Sequence, residues 1–166
     1  DSIPSTCVIR RYGRKKSEVA LTFDDGPDPV FTPMILDTLR SRGVHATFFV
    51  IGENVELHPN LVRRELREGD EIGSHTFTHP NLALVGKQTT RFELNATERL
   101  LEAILDRRTA LWRPPYFGDA EPTTADELVP VSIAQGLGYI TVGLHIDPSD
   151  WATPGTDSII ARTLAQ

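Results

Sequence analysis

The sequence predicts an α/β fold built on a parallel sheet, and three observations carry that expectation. Short apolar and β-branched runs are bounded by turn formers, helical patterns lie between successive runs, and reactive polar side chains gather where the runs end. In parallel α/β folds that carboxyl end is where chemistry is placed.

The first strand is expected over Glu18–Asp25. A helix follows, with Thr32 as cap, Pro33 in the first turn, an apolar stripe of Ile35, Leu36 and Leu39, and Gly43 as stop. The second strand is His45–Gly52, and Leu61, Val62 and Leu66 mark the next helix. The third strand, Glu71–His75, precedes a helix on which Phe92, Ala96, Leu100, Ala103 and Ile104 repeat at helical spacing. Ala110–Arg113 and Tyr139–Ile146 read as the fourth and fifth strands, with less regular helical patterns over Glu127–Gly138 and from Asp157 onward. Neither an internal repeat nor a low-complexity segment interrupts the alternation.

Bulk properties narrow the classes. A chain of 166 residues suits one compact domain, and its 39% hydrophobic and 24% charged residues are ordinary for a globular protein. Its apolar stretches are too short to cross a bilayer. A net charge of −6 argues against a nucleic-acid partner, which requires a basic surface. The exception is local: Arg10, Arg11, Arg14, Lys15 and Lys16 could touch an anionic polymer, but read as a solvated entry segment. Residues 1–17 therefore read as a lead-in and 18–166 as the folded domain. The single Cys7 neither demands nor excludes an oxidising compartment, and Asp1 reads as a processed or otherwise set start.

Reactive residues fall at four strand ends in succession: Asp24-Asp25-Gly26-Pro27, then Ser74-His75 with His79, then Arg113-Pro114-Pro115-Tyr116, then Asp147-Pro148-Ser149-Asp150-Trp151. Asp-Asp-Gly-Pro has a plain reading as a turn. Adjacent carboxylates at a strand end point apart, however, so one is able to bind a metal while the other takes a proton. His75 and His79, four apart, are expected on one side of a helical turn, a spacing that suits surface decoration, core packing or a divalent metal. With Asp25 the set is two nitrogens and one oxygen, leaving a coordination position open for water.

Together TFDDGPD at 22–28, HTFTHP at 75–80, RPPY at 113–116 and DPSDW at 147–151 resemble the ordered motifs of the carbohydrate esterase family 4 polysaccharide deacetylases, the NodB-like domain, from Glu18 to about Leu164. The resemblance implies a distorted (β/α) barrel of fewer than eight strands and a metal-dependent hydrolase that removes acetyl groups from a polysaccharide. It makes Asp25, His75 and His79 the ligands of a divalent ion, Zn2+ with Co2+ or Ni2+ as alternatives, and Asp24 the general base. Water acidified by the metal would lose its proton to Asp24 and attack the acetyl carbonyl, and the Tyr116 backbone N–H would help hold the oxyanion. Arg113 would position Asp24, Asp150 would orient Arg113, and Pro115, Tyr116 and Trp151 would contact the sugar. Trp151 has the alternative of a half-buried strand-end aromatic.

His45, His58, Trp112 and Phe117 have plainer structural readings, and His145, which alternates with Asp147, could face the site or be a hydrogen-bonded structural histidine. The substrate class implied is an N-acetylglucosamine polymer (chitin, peptidoglycan or exopolysaccharide). Acetylated xylan, or an inactive carbohydrate-binding relative, is the alternative. The run Gly118-Asp119-Ala120-Glu121-Pro122 resembles deacetylase domains within larger envelope proteins, so a multidomain parent is expected, and the family resemblance implies an extracellular or cell-envelope setting. Family members carry a further Leu-x-His strand whose histidine protonates the leaving group. No such motif follows Trp151, so the resemblance implies a barrel lacking its last strand or strands and a domain incomplete beyond Gln166.

Overall fold

Five parallel strands lie side by side in the order in which they occur in the chain: β1 (Thr22–Gly26), β2 (Thr47–Val50), β3 (Glu71–Ser74), β4 (Leu111–Trp112) and β5 (Ile140–Thr141). This computed structural model describes residues 8–10, 18–116 and 122–165. Each expected strand is present but shorter, because the apolar runs continue into the loops that feed the sheet. Sequential order without reversal is the winding of a (β/α) barrel rather than of a doubly wound sheet. The sheet also curls. In a flat sheet β1 and β4 would lie about 14 Å apart, yet Arg113, just past β4, hydrogen-bonds Thr22 on β1 and the carbonyls of Val142 and Gly143 just past β5.

The segment ahead of β1 does more than the expected solvated entry. Val8 is buried in the core with Trp112, and Ile9 forms a parallel bridge to Val142. The Ile9 N–H donates to the Thr141 carbonyl at 2.9 Å, and the Gly143 N–H donates to Ile9 at 3.0 Å, so this residue covers part of the β5 edge. Arg10 is exposed; the rest of the basic patch, Cys7, Phe117 and residues 118–121 lie outside the described residues. Among the described residues β1 pairs only with β2, and Val19, Leu21, Phe31 and Met34 are exposed beside it, the apolar face expected of an open sheet. No helix among the described residues is long and apolar enough to cross a membrane.

Helix α1 (Phe31–Arg42) ends at Gly43, whose φ of 61° is the left-handed stop expected there. Its start differs from expectation. Asp28 Oδ1 accepts from the N–H groups of Val30 and Phe31, both at 2.7 Å, while Thr32 lies buried inside the helix and accepts from the Asp28 N–H. Two short helices follow β2: α2 (Gly52–Leu57), which the pattern of apolar residues did not suggest, and α3 (Pro59–Glu68), opened by Pro59. Helix α4 (Lys87–Leu105) is rotated from the expected face. Thr90, Glu93, Leu94, Thr97, Glu98 and Leu101 are buried and Phe92 is exposed. Two carboxylates on the inner face disguise the stripe, and each is buried because it accepts several hydrogen bonds. Helix α5 (Ala125–Gly136) begins earlier than expected, at a capping box in which Thr124 and Glu127 satisfy each other's backbone N–H. Helix α6 (Thr156–Leu164) buries no residue among those described.

Glu65 on α3 is fully buried, and neither carboxylate oxygen has a partner among the described residues. Burial, with a smaller contribution from Asp70, pushes its pKa up to about 8. The unfolded chain ionises this group near 4.5, so above that pH unfolding releases a proton that the folded state retains. Its contribution is fully present below pH 4.5 and is lost progressively as pH rises toward about 8. Glu65→Met is expected to flatten that decline and to stabilise the protein at pH 8 by on the order of a few kcal/mol. Urea unfolding at pH 5 and pH 8 checks this; an unchanged slope in the variant would contradict it.

Candidate metal centre and the residues that hold it

A bulge delivers the acidic pair. Phe23 faces Phe48 and Gly26 faces Val50, so three steps along β1 match two along β2, and the extra residue falls at Asp24–Asp25. Asp25 takes a left-handed φ of 68°, which turns its side chain out of the strand's alternation. Its carbonyl and that of the next residue are clamped from α2 and the residue before it: Asn54 Nδ2 donates to the Asp25 carbonyl at 2.8 Å, and the Ile51 N–H donates to the Gly26 carbonyl at 2.9 Å.

His75 and His79 meet Asp25 from the loop after β3. His75 Nε2 lies 3.4 Å and His79 Nε2 3.1 Å from Asp25 Oδ1. The three ligand atoms are all within 4.8 Å of one another. The expected helical turn is not what brings the histidines together. Residues 75–80 are an irregular loop in which Thr76 and His79 both have positive φ, 72° and 59°. The peptide groups between them are engaged by α2 and α4, which leaves no i to i+4 ladder to form. The Gly52 and Glu53 N–H groups donate to the Thr76 and Phe77 carbonyls, each at 3.0 Å. A Cβ on Gly52 would sit 2.2 Å from the Phe77 ring, so only glycine permits this approach.

The donor set fits a cation. His75 Nδ1 lies 2.8 Å from the Arg113 carbonyl, which only accepts, so Nδ1 carries the proton and neutral His75 presents a bare Nε2 lone pair. That lone pair faces a carboxylate oxygen that is itself an acceptor and is shared with His79. Such a cluster calls for protons on the imidazoles or one divalent ion among them. Contact with His75 first and His79 second holds the Asp25 carboxyl well below its usual range, against the opposing effect of burial. Two imidazoles and one carboxylate are a three-ligand set of the kind that leaves a position open for water.

Asp24 belongs to a different network. Arg113, only 2% exposed, donates from Nη1 to Asp24 Oδ1 at 2.6 Å and to Thr22 Oγ1 at 2.9 Å. Its Nε and Nη2 donate to the Val142 and Gly143 carbonyls, both at 3.1 Å, and its guanidinium carbon lies 4.3 Å above the Phe49 ring. Gly73 makes room for that ring, since a Cβ there would approach Phe49 to 2.6 Å. Burial lowers the Arg113 pKa and the neighbouring Asp24 raises it again. With all three guanidinium nitrogens engaged, the Asp24 carboxylate is fixed in orientation while remaining partly open to solvent.

The remaining expected site residues divide. Tyr116 is exposed, has a φ of 70°, and its ring centroid is 5.0 Å from that of His79. Pro115 is buried behind it. Trp151 is 80% exposed in a single 3-10 turn, Asp150–Ala152, and belongs to neither core cluster, so the half-buried alternative does not hold. Asp150 is also exposed, and none of the hydrogen bonds that hold Arg113 among the described residues comes from it; Thr22 and the two carbonyls occupy those positions. His145 is exposed, and Trp112 is a core residue whose Nε1 donates to Thr141. Thr22, Phe49, Asn54 and Glu93 support the centre but were not singled out in the sequence. Strand alternation places Thr22 on the same face as Asp24, a signal that was available.

The sequence pattern of a family described as polysaccharide deacetylase matches residues 11–136. A peptidoglycan-N-acetylglucosamine deacetylase of Bacillus cereus is 41% identical over 90% of this chain and 52% of its own length. A chitooligosaccharide deacetylase of Sinorhizobium fredii is 39% identical over 95% of this chain and 71% of its own. The chain thus spans about half the length of the first of these relatives and about seven-tenths of the second. A crystal structure of a CE4 family pseudoenzyme from Bacillus anthracis superposes with a TM-score of 0.83 at 27% identity, over 95% of this chain and 53% of that one.

Proposed function

This chain belongs to the polysaccharide deacetylase family, and from that premise we propose that its site hydrolyses acetyl groups from an N-acetylglucosamine-containing polymer. Fold alone does not carry the reading, because a pseudoenzyme shares it. The observation that does is the arrangement of two adjacent carboxylates in separate roles. Asp25 joins His75 and His79 as a ligand set, while Asp24 is held apart from it by Arg113.

When bound, a divalent ion, which we take to be Zn2+, supplies Lewis acidity that acidifies a water molecule and polarises the acetyl carbonyl. The chain's own residues act on the attacking water and on the developing oxyanion. Asp24, oriented by Arg113 and partly open to solvent, takes the proton from the attacking water. The backbone N–H of Tyr116, in its left-handed conformation beside His79, offers a hydrogen bond to the developing oxyanion. The exposed Tyr116 and Trp151 rings offer flat apolar faces to a sugar chain. A polymer of this kind lies outside the cytoplasm, so the proposal carries an extracellular or cell-envelope setting, with the domain as one part of a larger protein.

The peptidoglycan and chitooligosaccharide names of the two relatives favour an N-acetyl substrate over O-acetylated xylan. Acetate release from an N-acetylglucosamine tetramer and from acetylated xylan, measured side by side on the metal-loaded protein, tests this. The tetramer is expected to have the higher kcat/KM by at least about tenfold, a difference worth 1.4 kcal/mol in transition-state binding. A reversed preference would make the protein an esterase, and release from neither would make it a carbohydrate-binding relative.

A further inference from the structure

We infer that Glu93, a residue of α4 with no place in the reaction, positions the metal centre by fixing the loop between its two histidines. The inference rests on the reading of Asp25, His75 and His79 as a metal site. Glu93 is 3% exposed, and the partners of its carboxylate among the described residues are all in that loop. Its Oε2 accepts from the backbone N–H groups of Phe77 and Thr78, and its Oε1 accepts from Thr78 Oγ1, each at 2.8 Å. Every one of these donors lies between His75 and His79 in the chain.

A carboxylate is an expensive residue to bury, and an apolar side chain of similar volume would serve packing alone as well or better. What Glu93 provides instead is a fixed trio of charge-assisted hydrogen bonds to a strained backbone. Thr76 and His79 both lie in the left-handed region, which disfavours the β-branched Thr76 in particular, so the loop needs external contacts to stay there. From one side the Gly52 and Glu53 N–H groups hold the Thr76 and Phe77 carbonyls; from the other Glu93 holds the Phe77 and Thr78 N–H groups. With both faces of these peptides held, His79 is carried to the position where its Nε2 stands 3.1 Å from Asp25 Oδ1. Without Glu93 the Phe77 and Thr78 N–H groups lose the partner that holds them, and His79 loses its alignment.

Glu98 supplies the control. It is a second buried carboxylate on the same helix and accepts from Thr109, Arg108 and Tyr139 rather than from the histidine loop. Apoprotein of each variant is titrated with Co2+, read by the visible absorption of the bound ion, and thermal unfolding of the same apoprotein is recorded. Glu93→Met is expected to weaken Co2+ binding by about 10–100-fold, the usual cost of losing a partner that orients a ligand. Glu93→Gln, whose amide oxygen accepts both backbone N–H groups and whose nitrogen faces the Thr78 hydroxyl, is expected within about threefold of wild type if the geometry is what matters. Glu98→Met is expected to lower the unfolding temperature while leaving Co2+ affinity within about threefold of wild type, the limit set for Glu93→Gln. If Glu93→Met does not fold, Thr78→Val, which removes one of the three bonds, is expected to weaken binding several-fold with little loss of stability. Unchanged affinity in a folded Glu93→Met, or in Thr78→Val where the former does not fold, would overturn the inference, as would equal loss of affinity in Glu98→Met. Failure of wild type to bind Co2+ would overturn the metal reading itself.

Discussion

Asp24→Asn is expected to lower kcat for acetate release by about 10²–10⁴-fold while leaving metal affinity within a few-fold of wild type, the range associated with loss of a general base. The amide keeps the shape of the side chain and its oxygen still accepts from Arg113 Nη1, but it has no capacity to take a proton from water. The ligand atoms belong to Asp25, His75 and His79, so the metal should remain. The substitution also leaves the buried Arg113 without its counter-charge, and a lower unfolding temperature should accompany the kinetic loss. Retained metal with collapsed turnover is therefore the signature to look for in parallel titration and rate measurements. A rate near that of wild type would move the base to another residue.

The sequence and the structure agree most closely where a residue's role follows from local pattern. The five strands, the glycine stop of α1 and the convergence of Asp25, His75 and His79 all depend on spacing or on apolar runs, and all are present. The face of α4 is hidden in the sequence because Glu93, Thr97 and Glu98 sit on its buried side, and a polar residue reads as exposed until its partners are known. Those partners are up to forty-one residues away, as for Tyr139 and Glu98. The helical reading of His75 and His79 failed for a similar reason. Spacing of four is satisfied equally by a helical turn and by a loop held open from both sides, and only the Gly52, Glu53 and Glu93 contacts distinguish them. The start of α1 has two competent capping residues in the sequence, Asp28 and Thr32, and Asp28 sits at the distance from which one oxygen reaches two orphan N–H groups. Val8 and Ile9 were hidden by the basic residues that follow them, although their apolar character was the visible clue to burial against β5. Thr22 shows the reverse case, a residue whose position two before Asp24 already placed it beside the arginine's target.

Three protein ligands leave no redundancy, so alanine at Asp25, His75 or His79 is expected to remove bound metal and, with it, essentially all activity. His75 carries a second consequence, since its Nδ1–H also anchors the Arg113 carbonyl, and its loss should cost some stability as well. His79 anchors no backbone carbonyl in this way among the described residues, where it meets Asp25 and the His75 and Tyr116 rings, which makes it the cleanest position to test. The direct measurement is metal stoichiometry and acetate release on the same samples of wild type and His79→Ala, before chelation, after chelation and after return of one equivalent of Zn2+. Wild type is expected to hold one ion, to lose both ion and activity to the chelator and to recover both, while His79→Ala remains folded, empty and inactive throughout. Stoichiometric tight metal in folded His79→Ala, or full acetate release from chelated wild type, would contradict the account.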